Sequence, residues 1–214
     1  KSNKENIDDC IVGEPTNPDK LGDMIKIGRR GSYSGNLIVH GIQGHVGYPH
    51  LAKNPINSML KLIQPLSELE LDKGNENFEP TTIMITSIDV GNPSYNIIPA
   101  KVNVKFNIRF NNIHSSKSLT KMLTEKFKSL NISNYSFDYF CNAEPFYTTP
   151  GHLVESLKRA IKSITGLVPN LSTNGGTSDA RFIRDICPVI EFGLVGKLMH
   201  KIDEKVSIDD INNL

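Results

Sequence analysis

The chain has 214 residues, of which 38% are hydrophobic and 22% are charged, and its formal net charge is +1. These values are ordinary for a soluble globular protein with one large domain or two small ones. The small net charge gives no electrostatic reason to expect a nucleic acid or a membrane surface as partner, and no apolar run is long enough to predict a transmembrane helix.

The chain contains three cysteines, Cys10, Cys141 and Cys187, which are odd in number and widely spaced. This usage is typical of free thiols in a reducing compartment rather than of a disulfide framework. We therefore expect a cytoplasmic protein.

The first predicted element is a short buried strand, Cys10 to Val12, which stops at a Gly-Glu-Pro turn. In an α/β protein, a carboxylate at the C-terminal end of a strand is well placed for a metal or a substrate, which makes Glu14 a candidate ligand. Residues 24–30 and 33–42 alternate apolar and polar side chains and predict two further strands.

A helix is predicted to begin at Pro55, with Asn54 as its N-cap. Apolar residues then recur at helical spacing and predict a buried stripe of Ile56, Met59, Leu60, Ile63, Leu66 and Leu69. Pro65 lies inside this pattern and predicts a kink or an early end, because proline lacks a backbone N–H.

Four more elements follow before residue 142. Residues 81–90 and 102–110 predict strands, residues 116–130 predict an amphipathic helix, and residues 135–140 predict another strand. The order strand, strand, helix, strand, strand, helix, strand predicts an α+β unit with a mostly antiparallel sheet and helices on one face.

The chain changes character after Pro150. It predicts an amphipathic helix over residues 153–164, a loop that begins Gly175-Gly176, a strand over residues 189–192 and a loop that carries a lone histidine. A Gly-Gly pair lets the backbone approach a ligand closely, so the first loop is a candidate binding loop.

The segments 1–25 and 143–214 look like two parts of one α/β domain that the α+β unit interrupts. Together they hold only a few strands, too few to bury a full core. We therefore expect the chain to be a piece of a longer protein.

The histidines allow two readings each. His200 with Glu14 offers the imidazole and carboxylate that suit zinc, although a solitary histidine is more often structural or solvated. His45 and His50 could form a metal pair, but their spacing is not that of one helix face, and Pro49 favours an ordered turn.

Two arginines are candidates for binding anions. Arg29 lies at the junction between two predicted strands, where it either protects a solvated strand edge or binds a carboxylate through two hydrogen bonds. Arg109 lies on the polar face of an alternating strand and faces either solvent or a ligand.

Several stretches together form one known pattern: CIVGEPT, GDMIKIGRRGS, GIQGHVGYPHLAKNPI, LDKGNENFEPTT, NIIPA, FNIRF, LSTNGGTSDARFI, VIEFG and HKIDEKVSIDDI. On these stretches, which span nearly the whole chain, the sequence resembles the M20 family of di-zinc amidohydrolases and peptidases. Within that family it is similar to the desuccinylases of N-succinyl-L,L-2,6-diaminopimelate.

The resemblance implies an α/β fold: part of a zinc-peptidase-like catalytic domain (residues 1–25 and 143–214) with an inserted ferredoxin-like α+β dimerisation or lid domain (residues 26–142). It implies a homodimer that uses two Zn²⁺ or Co²⁺ ions per subunit and hydrolyses its dicarboxylate substrate to succinate and L,L-diaminopimelate. That reaction serves lysine and diaminopimelate biosynthesis. No nucleic-acid or membrane partner is implied.

The resemblance also implies roles for particular residues. Glu14 and His200 match one ligand of each metal ion, and His45 matches a lid histidine that reaches the partner subunit's active site and stabilises the oxyanion. The positions that match substrate contacts are Arg29, Ser32, Tyr48, Asn96, Arg109, Gly176 and Thr177.

The sequence departs from the family pattern in two places. The remaining metal ligands and the general base lie before the CIVGEP strand in the family, and residues 1–9 cannot supply them. We therefore expect these 214 residues alone to hydrolyse very little. Gly196 stands where the family has an asparagine, so that amide contact is missing.

Two other functions stay open. One is a sibling enzyme that acts on acetylornithine or on aminoacyl peptides, and the other is a non-catalytic dimerisation module. The stretches GRRGS and GHVGYPH favour a dicarboxylate acyl group, because arginine binds carboxylates through two hydrogen bonds.

Overall fold

A computed structural model describes residues 6–214 and divides them between two units. The first unit holds the described residues up to Arg30, together with Glu76–Phe78 and Pro145–Leu214. The second unit holds Gly31–Asn75 and Glu79–Glu144. The sequence placed these boundaries slightly earlier, after residues 25 and 142.

The strands are β1 (Cys10–Val12), β2 (Met24–Lys26), β3 (Gly28–Arg29), β4 (Gly31–His40), β5 (Gly44–His45), β6 (Thr82–Asp89), β7 (Ile97–Ile98), β8 (Lys101–Phe110), β9 (Tyr135–Ala143), β10 (Phe146–Tyr147), β11 (Asn170–Ser172) and β12 (Val189–Glu191). The helices are α1 (Pro55–Ser67), α2 (Ser116–Ser129), α3 (His152–Thr165), α4 (Ala180–Ile183) and α5 (Ile208–Asn213), with a 3-10 turn at Pro49–Leu51.

The first unit is built on a mixed sheet in the order β1-β12-β2-β11. β1 runs parallel to β12, and β2 runs parallel to β11, whereas β12 and β2 are antiparallel. The apolar face of α3 packs against this sheet through Val154 and Ile161, which contact Ile25 and Ile190. The covering helix and the buried strand β12 agree with the apolar periodicity. The expectation that Cys10–Val12 is a buried strand is wrong, because Ile11 is 49% exposed and its two neighbours are only partly buried.

The strand predicted over residues 24–30 is interrupted at Ile27. The N–H of Ile27 donates to Ser172 O at 3.0 Å, whereas its carbonyl accepts from Thr148 N at 2.7 Å. The chain changes partner at this residue, so β2 belongs to the main sheet and β3 pairs with β10 instead. This exchange takes Arg29 out of the main sheet, and its side chain reaches the loop after β11, where Nη1 donates to Asn174 O.

The second unit is a four-stranded sheet in the order β6-β8-β4-β9, in which every neighbouring pair is antiparallel. With α1 and α2 the order of elements is β-α-β-β-α-β, which is the ferredoxin-like arrangement. The alternation in β8 is confirmed, since the five apolar side chains of residues 102–110 are all buried. Side chains of both helices join the same core.

The structure corrects two expectations about α1. The helix does not end early, because it continues through Pro65 to Ser67. In the last turn, the missing N–H of proline removes a single intrahelical hydrogen bond. Leu60 is 55% exposed, whereas Leu62 is fully buried, so the buried stripe is rotated from the predicted one.

Asp72 anchors the loop after α1. Its Oδ1 accepts hydrogen bonds from Gly74 N at 2.7 Å, from Thr81 N at 3.2 Å and from Nδ2 of the buried Asn111 at 2.7 Å. Burial alone would raise the pKa of Asp72, but these hydrogen bonds outweigh it and hold the pKa below its usual value.

Two properties concern the chain as a whole. Across residues 6–214, no helix is both long enough and apolar enough to cross a membrane. Cys10, Cys141 and Cys187 are free thiols.

Candidate active site

A cavity of about 400 Å³ lies in the first unit. It is lined by five of the residues that the sequence singled out, namely Glu14, Arg29, Gly176, Thr177 and His200. These residues come from separate segments of the chain that the sheet brings together. Their catalytic and binding roles stay predictions.

Glu14 reaches the cavity because β1 ends two residues before it, at Val12. The backbone of Gly193 passes so close that a Cβ atom there would lie 2.4 Å from Glu14 O, so glycine is required at this crossing. Burial, then the negative charges of Glu191 and Asp179, raise the pKa of Glu14 and outweigh the lowering effect of Arg29. A cation bound at Glu14 would oppose this shift.

His200 enters the cavity from a tight turn. Its φ angle is 62°, in the left-handed region, which costs a residue with a side chain about 1 kcal/mol or more. The turn is closed by hydrogen bonds from Met199 N to Gly196 O (3.0 Å) and from Lys201 N to Leu198 O (3.2 Å). Such strain persists where the surroundings fix the conformation, and it is often found at functional sites.

Glu14 and His200 have the donor atoms that zinc prefers, but they do not complete a metal site. A zinc ion in a protein takes three or four protein ligands. In the part of the chain that the structure describes, no group of three or more His, Cys, Asp or Glu side chains could hold a metal ion. No catalytic step through a metal is therefore derived from these residues.

A buried carboxylate that the sequence did not single out lies behind Arg29. Glu191 is fully buried at the end of β12, and its Oε2 accepts hydrogen bonds from Arg29 Nε at 2.9 Å and from Arg29 Nη2. Its Oε1 accepts a hydrogen bond from the Ser178 hydroxyl. A charged residue inside the apolar run VIEF was the signal that could have identified it, because buried charges need partners.

Lys26 adds a second cation to the cavity wall, and the sequence also missed it. It is 6% exposed and lines the cavity, and its Nζ donates to Ser172 Oγ at 3.2 Å and to Asn174 Oδ1. Asn174 also accepts from Arg29 Nη1 through its main-chain oxygen at 2.9 Å. One residue thus holds both cations. The three N–H groups of Lys26 are taken by Met24 Sδ, Ser172 Oγ and Asn174 Oδ1, so this side chain adds positive charge to the cavity wall, not a free donor.

The loop after β11 comes close to Arg29 at its Gly-Gly pair, whereas the approach of this pair to a ligand stays a prediction. Gly175 has a φ of 101°, and a Cβ atom there would lie 2.3 Å from Arg29 Nη1. Gly176 and Thr177 follow it along the cavity wall. Gly196 also lines the cavity, without the amide side chain that the family pattern has at that position.

In the second unit, His45 and Asn96 lie on paired segments. His45 in β5 pairs with Ile97 in β7, and Val46 N donates to Asn96 O at 3.0 Å. The Nδ1 atom of His45 accepts from Gly47 N at 3.0 Å, so the neutral ring carries its proton on Nε2. His45 is therefore prepared to donate a hydrogen bond.

The segment around Tyr48 is an ordered turn, which is the second of the two readings of GHVGYPH. The Tyr48 ring centroid lies 5.9 Å from that of His45 and 6.4 Å from that of His50. Tyr48 is 60% exposed, so its hydroxyl is available to a partner.

Ser32 and Arg109 are direct cross-strand partners between β4 and β8 and therefore share one face of the sheet. Ser32 is buried and its Oγ accepts from Asn107 Nδ2 at 3.3 Å, whereas Arg109 is partly buried. Neither residue is freely solvated, and a ligand-binding role for Arg109 stays a prediction.

A model of the M20 peptidase dimerisation domain matches residues 27–134, about half of the chain. The chain is 51% identical over 217 residues to the succinyl-diaminopimelate desuccinylase of Pelagibacter ubique, covering 100% of this chain and 56% of that protein. It is 49% identical over 215 residues to the enzyme of the same name from Xanthobacter autotrophicus, covering 100% and 57%. The chain thus spans little more than half the length of these relatives.

Two solved structures share the fold. An M20 family metallo-carboxypeptidase from Sulfolobus solfataricus superposes with a TM-score of 0.76 at 16% identity, over 99% of this chain and 62% of that one. A tripeptidase from Staphylococcus aureus superposes with a TM-score of 0.75 at 20% identity, over 92% and 52%. At such low identity they bear on the fold alone, and with the family model they confirm an α/β fold that carries a dimerisation domain.

Proposed function

Because the chain belongs to the M20 peptidase family, we propose that it is the part of a metal-dependent amide hydrolase that binds N-succinyl-L,L-2,6-diaminopimelate. The products would be succinate and L,L-diaminopimelate, in lysine and diaminopimelate biosynthesis. The proposal is supported by relatives of that name that are about half identical to this chain along all of it.

The observation that carries the proposal is the composition of the cavity wall. Lys26 and Arg29 bring two cations to one cavity, and Asn174 holds both. The substrate bears several carboxylates, and a guanidinium binds a carboxylate through two hydrogen bonds in a fixed geometry. An acyl group without a carboxylate would leave the remaining donors of Arg29 without a carboxylate to bind.

We assign the cofactor as two Zn²⁺ or Co²⁺ ions per subunit, with Glu14 and His200 each a ligand of one ion. When bound, such an ion polarises the amide carbonyl and activates water. Among the described residues that line this cavity, no further histidine, cysteine or carboxylate supplies the remaining ligands. The place of Glu14 in the cavity wall, two residues after the end of β1, supports its role.

The other predicted residues bind and orient the substrate. We assign Gly176, Thr177, Ser32, Tyr48, Asn96 and Arg109 to substrate contacts. His45 would donate its Nε2 proton to the developing oxyanion of the partner subunit's site, and its Nδ1 bond to Gly47 N supports that tautomer.

The homodimer is supported by the matched dimerisation domain and by an apolar sheet edge. Edge strand β6 exposes Met84 (62%) and Ile88 (53%). Exposed apolar side chains on an edge strand are typical of a surface that another chain covers. Met84→Glu is expected to shift the protein to monomer in analytical ultracentrifugation, whereas Ile113→Glu, at a similarly exposed side chain (54%) off the edge, leaves the dimer intact.

The function is tested with the intact gene product, that is, this chain with any further residues that its gene encodes. Its kcat/KM is measured with zinc or cobalt on the succinyl substrate and on N-acetylornithine. We expect a preference of about 100-fold or more for the succinyl substrate, because a site built to pair a charge rejects the analogue that lacks it. Equal kcat/KM values would favour the sibling deacylase.

The 214 residues alone give a second test. Within residues 6–214 no group of three or more His, Cys, Asp or Glu side chains could hold a metal ion, so the 214 residues are expected to show negligible zinc-dependent hydrolysis while still forming a dimer. Turnover by this chain alone would contradict the assignment of its metal ligands. Dimerisation with no turnover by the intact gene product would favour the non-catalytic module.

A further inference from the structure

The buried carboxylate of Glu191 joins two parts of the cavity. Its Oε2 accepts from Nε and Nη2 of Arg29, and its Oε1 accepts from the Ser178 hydroxyl. Arg29 lines the cavity, and Ser178 directly follows the loop residues that also line it. One side chain therefore fixes the position of the cation relative to the loop.

The Arg29 guanidinium keeps donors for a ligand after these bonds are made. A guanidinium carries five N–H groups. Glu191 takes one from Nε and one from Nη2, and Asn174 O takes one from Nη1. One N–H remains on each Nη atom, which is the number that a carboxylate accepts in a bidentate pair.

We propose that Glu191 is a positioning residue that holds Arg29 in the orientation that receives the terminal carboxylate of the acyl group. This inference rests on the proposed function and identifies the residue on which its succinyl preference depends. Glu191 does not touch the substrate, since its side chain is fully buried and both oxygens are occupied by Arg29 and Ser178.

A purely stabilising ion pair predicts different behaviour. Burying two charges costs desolvation energy that offsets their attraction, so such a pair is weak evidence for stability. If Glu191 only stabilised the fold, its loss would affect all substrates alike. If it positions Arg29, its loss matters only for a substrate that Arg29 binds.

The test is a double-mutant cycle in the metal-loaded intact gene product. The variants are Arg29→Ala, Glu191→Ala and both together. The substrates are the succinyl compound and its succinamoyl analogue, in which a neutral amide replaces the terminal carboxylate. Stability of each variant is recorded alongside kcat and KM.

On the succinyl substrate, Arg29→Ala is expected to lower kcat/KM about 50-fold, since the loss of hydrogen bonds to a charged group weakens binding by about that factor. Glu191→Ala is expected to lower it about 10-fold or more, mainly through KM, and the double variant should match Arg29→Ala within about threefold. On the succinamoyl analogue, every variant should stay within about threefold of wild type.

Conservative variants keep the test decisive if an alanine variant does not fold. Glu191→Gln retains one oxygen for Arg29 and an N–H that Ser178 Oγ can accept, so it should stay within about threefold of wild type on both substrates. Arg29→Lys keeps the buried charge pair but loses the fork, and Glu191→Asp keeps the charge on a side chain too short to hold Arg29, so the cycle is then run with Lys and Asp. Glu155→Gln removes a carboxylate from the exposed ion pair with Lys158 on α3 and is the matched control.

Two results would overturn the inference. One is additive losses in the cycle, and the other is an equal loss from Glu191→Ala on both substrates. The proposed function fails separately, when wild type does not hydrolyse the succinyl substrate. In that case the Kd for succinate, measured by calorimetry, replaces kcat/KM in the cycle. Glu191→Ala is then expected to weaken succinate binding as Arg29→Ala does. An unchanged Kd in Glu191→Ala refutes the positioning role.

Discussion

Gly175→Ala is expected to destabilise the first unit by about 2–4 kcal/mol. The residue has a φ of 101°, where an L side chain costs about 1 kcal/mol. The new Cβ would also lie 2.3 Å from Arg29 Nη1, and Arg29 cannot move aside without breaking its 2.9 Å bond to Asn174 O. A hydrogen bond to a charged group contributes about 1.5–3 kcal/mol. Urea unfolding followed by circular dichroism measures the loss.

Gly176→Ala is the matched control for stability. No atom lies within 4 Å of the Cβ position at Gly176, so the free energy of unfolding should change by less than about 0.5 kcal/mol. Equal losses at the two neighbouring glycines would refute the reasoning, because they would mean that neither the backbone conformation nor the contact with Arg29 distinguishes them. A further sign of the contact is an increase in KM for the succinyl substrate in Gly175→Ala.

Three further perturbations test other parts of the molecule. Leu62→Ala should cost about 2–5 kcal/mol in urea unfolding, whereas Leu60→Ala, at a side chain that is 55% exposed, should cost under about 1 kcal/mol; similar losses would contradict the observed helix face. Asp72 has a lowered pKa in the folded state, so it contributes stability above about pH 4 that is lost as the pH falls. Asp72→Asn should therefore lower Tm at pH 7 and flatten its decline in acid, and an unchanged pH profile would exclude this role. His45→Ala should lower kcat of the intact gene product with little loss of bound metal, and an unchanged kcat would count against the oxyanion role.

The long elements of the second unit could be predicted from the sequence because each has one buried face. In β8 every second side chain enters the core, so the alternation of apolar and polar residues can be recognised in the sequence alone. The helix α1 shows the limit of this reasoning. Its amphipathic pattern gave the helix and its N-cap, but Leu60 and Leu62 are equally apolar, and only packing decides which one is buried.

The first unit was harder to predict because its strands are short and their partners are distant in sequence. β3 and β10 contain two residues each, too few to show any period. The change of partner at Ile27 depends on hydrogen bonds to Ser172 and Thr148, which no local pattern reports. Glu191 differs, because the carboxylate inside the apolar run is visible in the sequence, but its partner Arg29 is 162 residues away.

The two carboxylates of the cavity region differ in how their charge is compensated, and this difference agrees with the separate roles proposed for them. Glu191 is fully buried, and Arg29 and Ser178 supply hydrogen bonds to both of its oxygens. Glu14 is only partly buried, yet burial and the charges of Glu191 and Asp179 raise its pKa despite Arg29. A carboxylate whose charge the protein already compensates is suited to hold another side chain, whereas one whose charge is left under-compensated gains most from a cation. Arg29 therefore compensates the negative charge of Glu191 more fully than that of Glu14. In the proposed site, its commitment to Glu191 would leave Glu14 available for a metal ion and the remaining guanidinium donors available for the substrate.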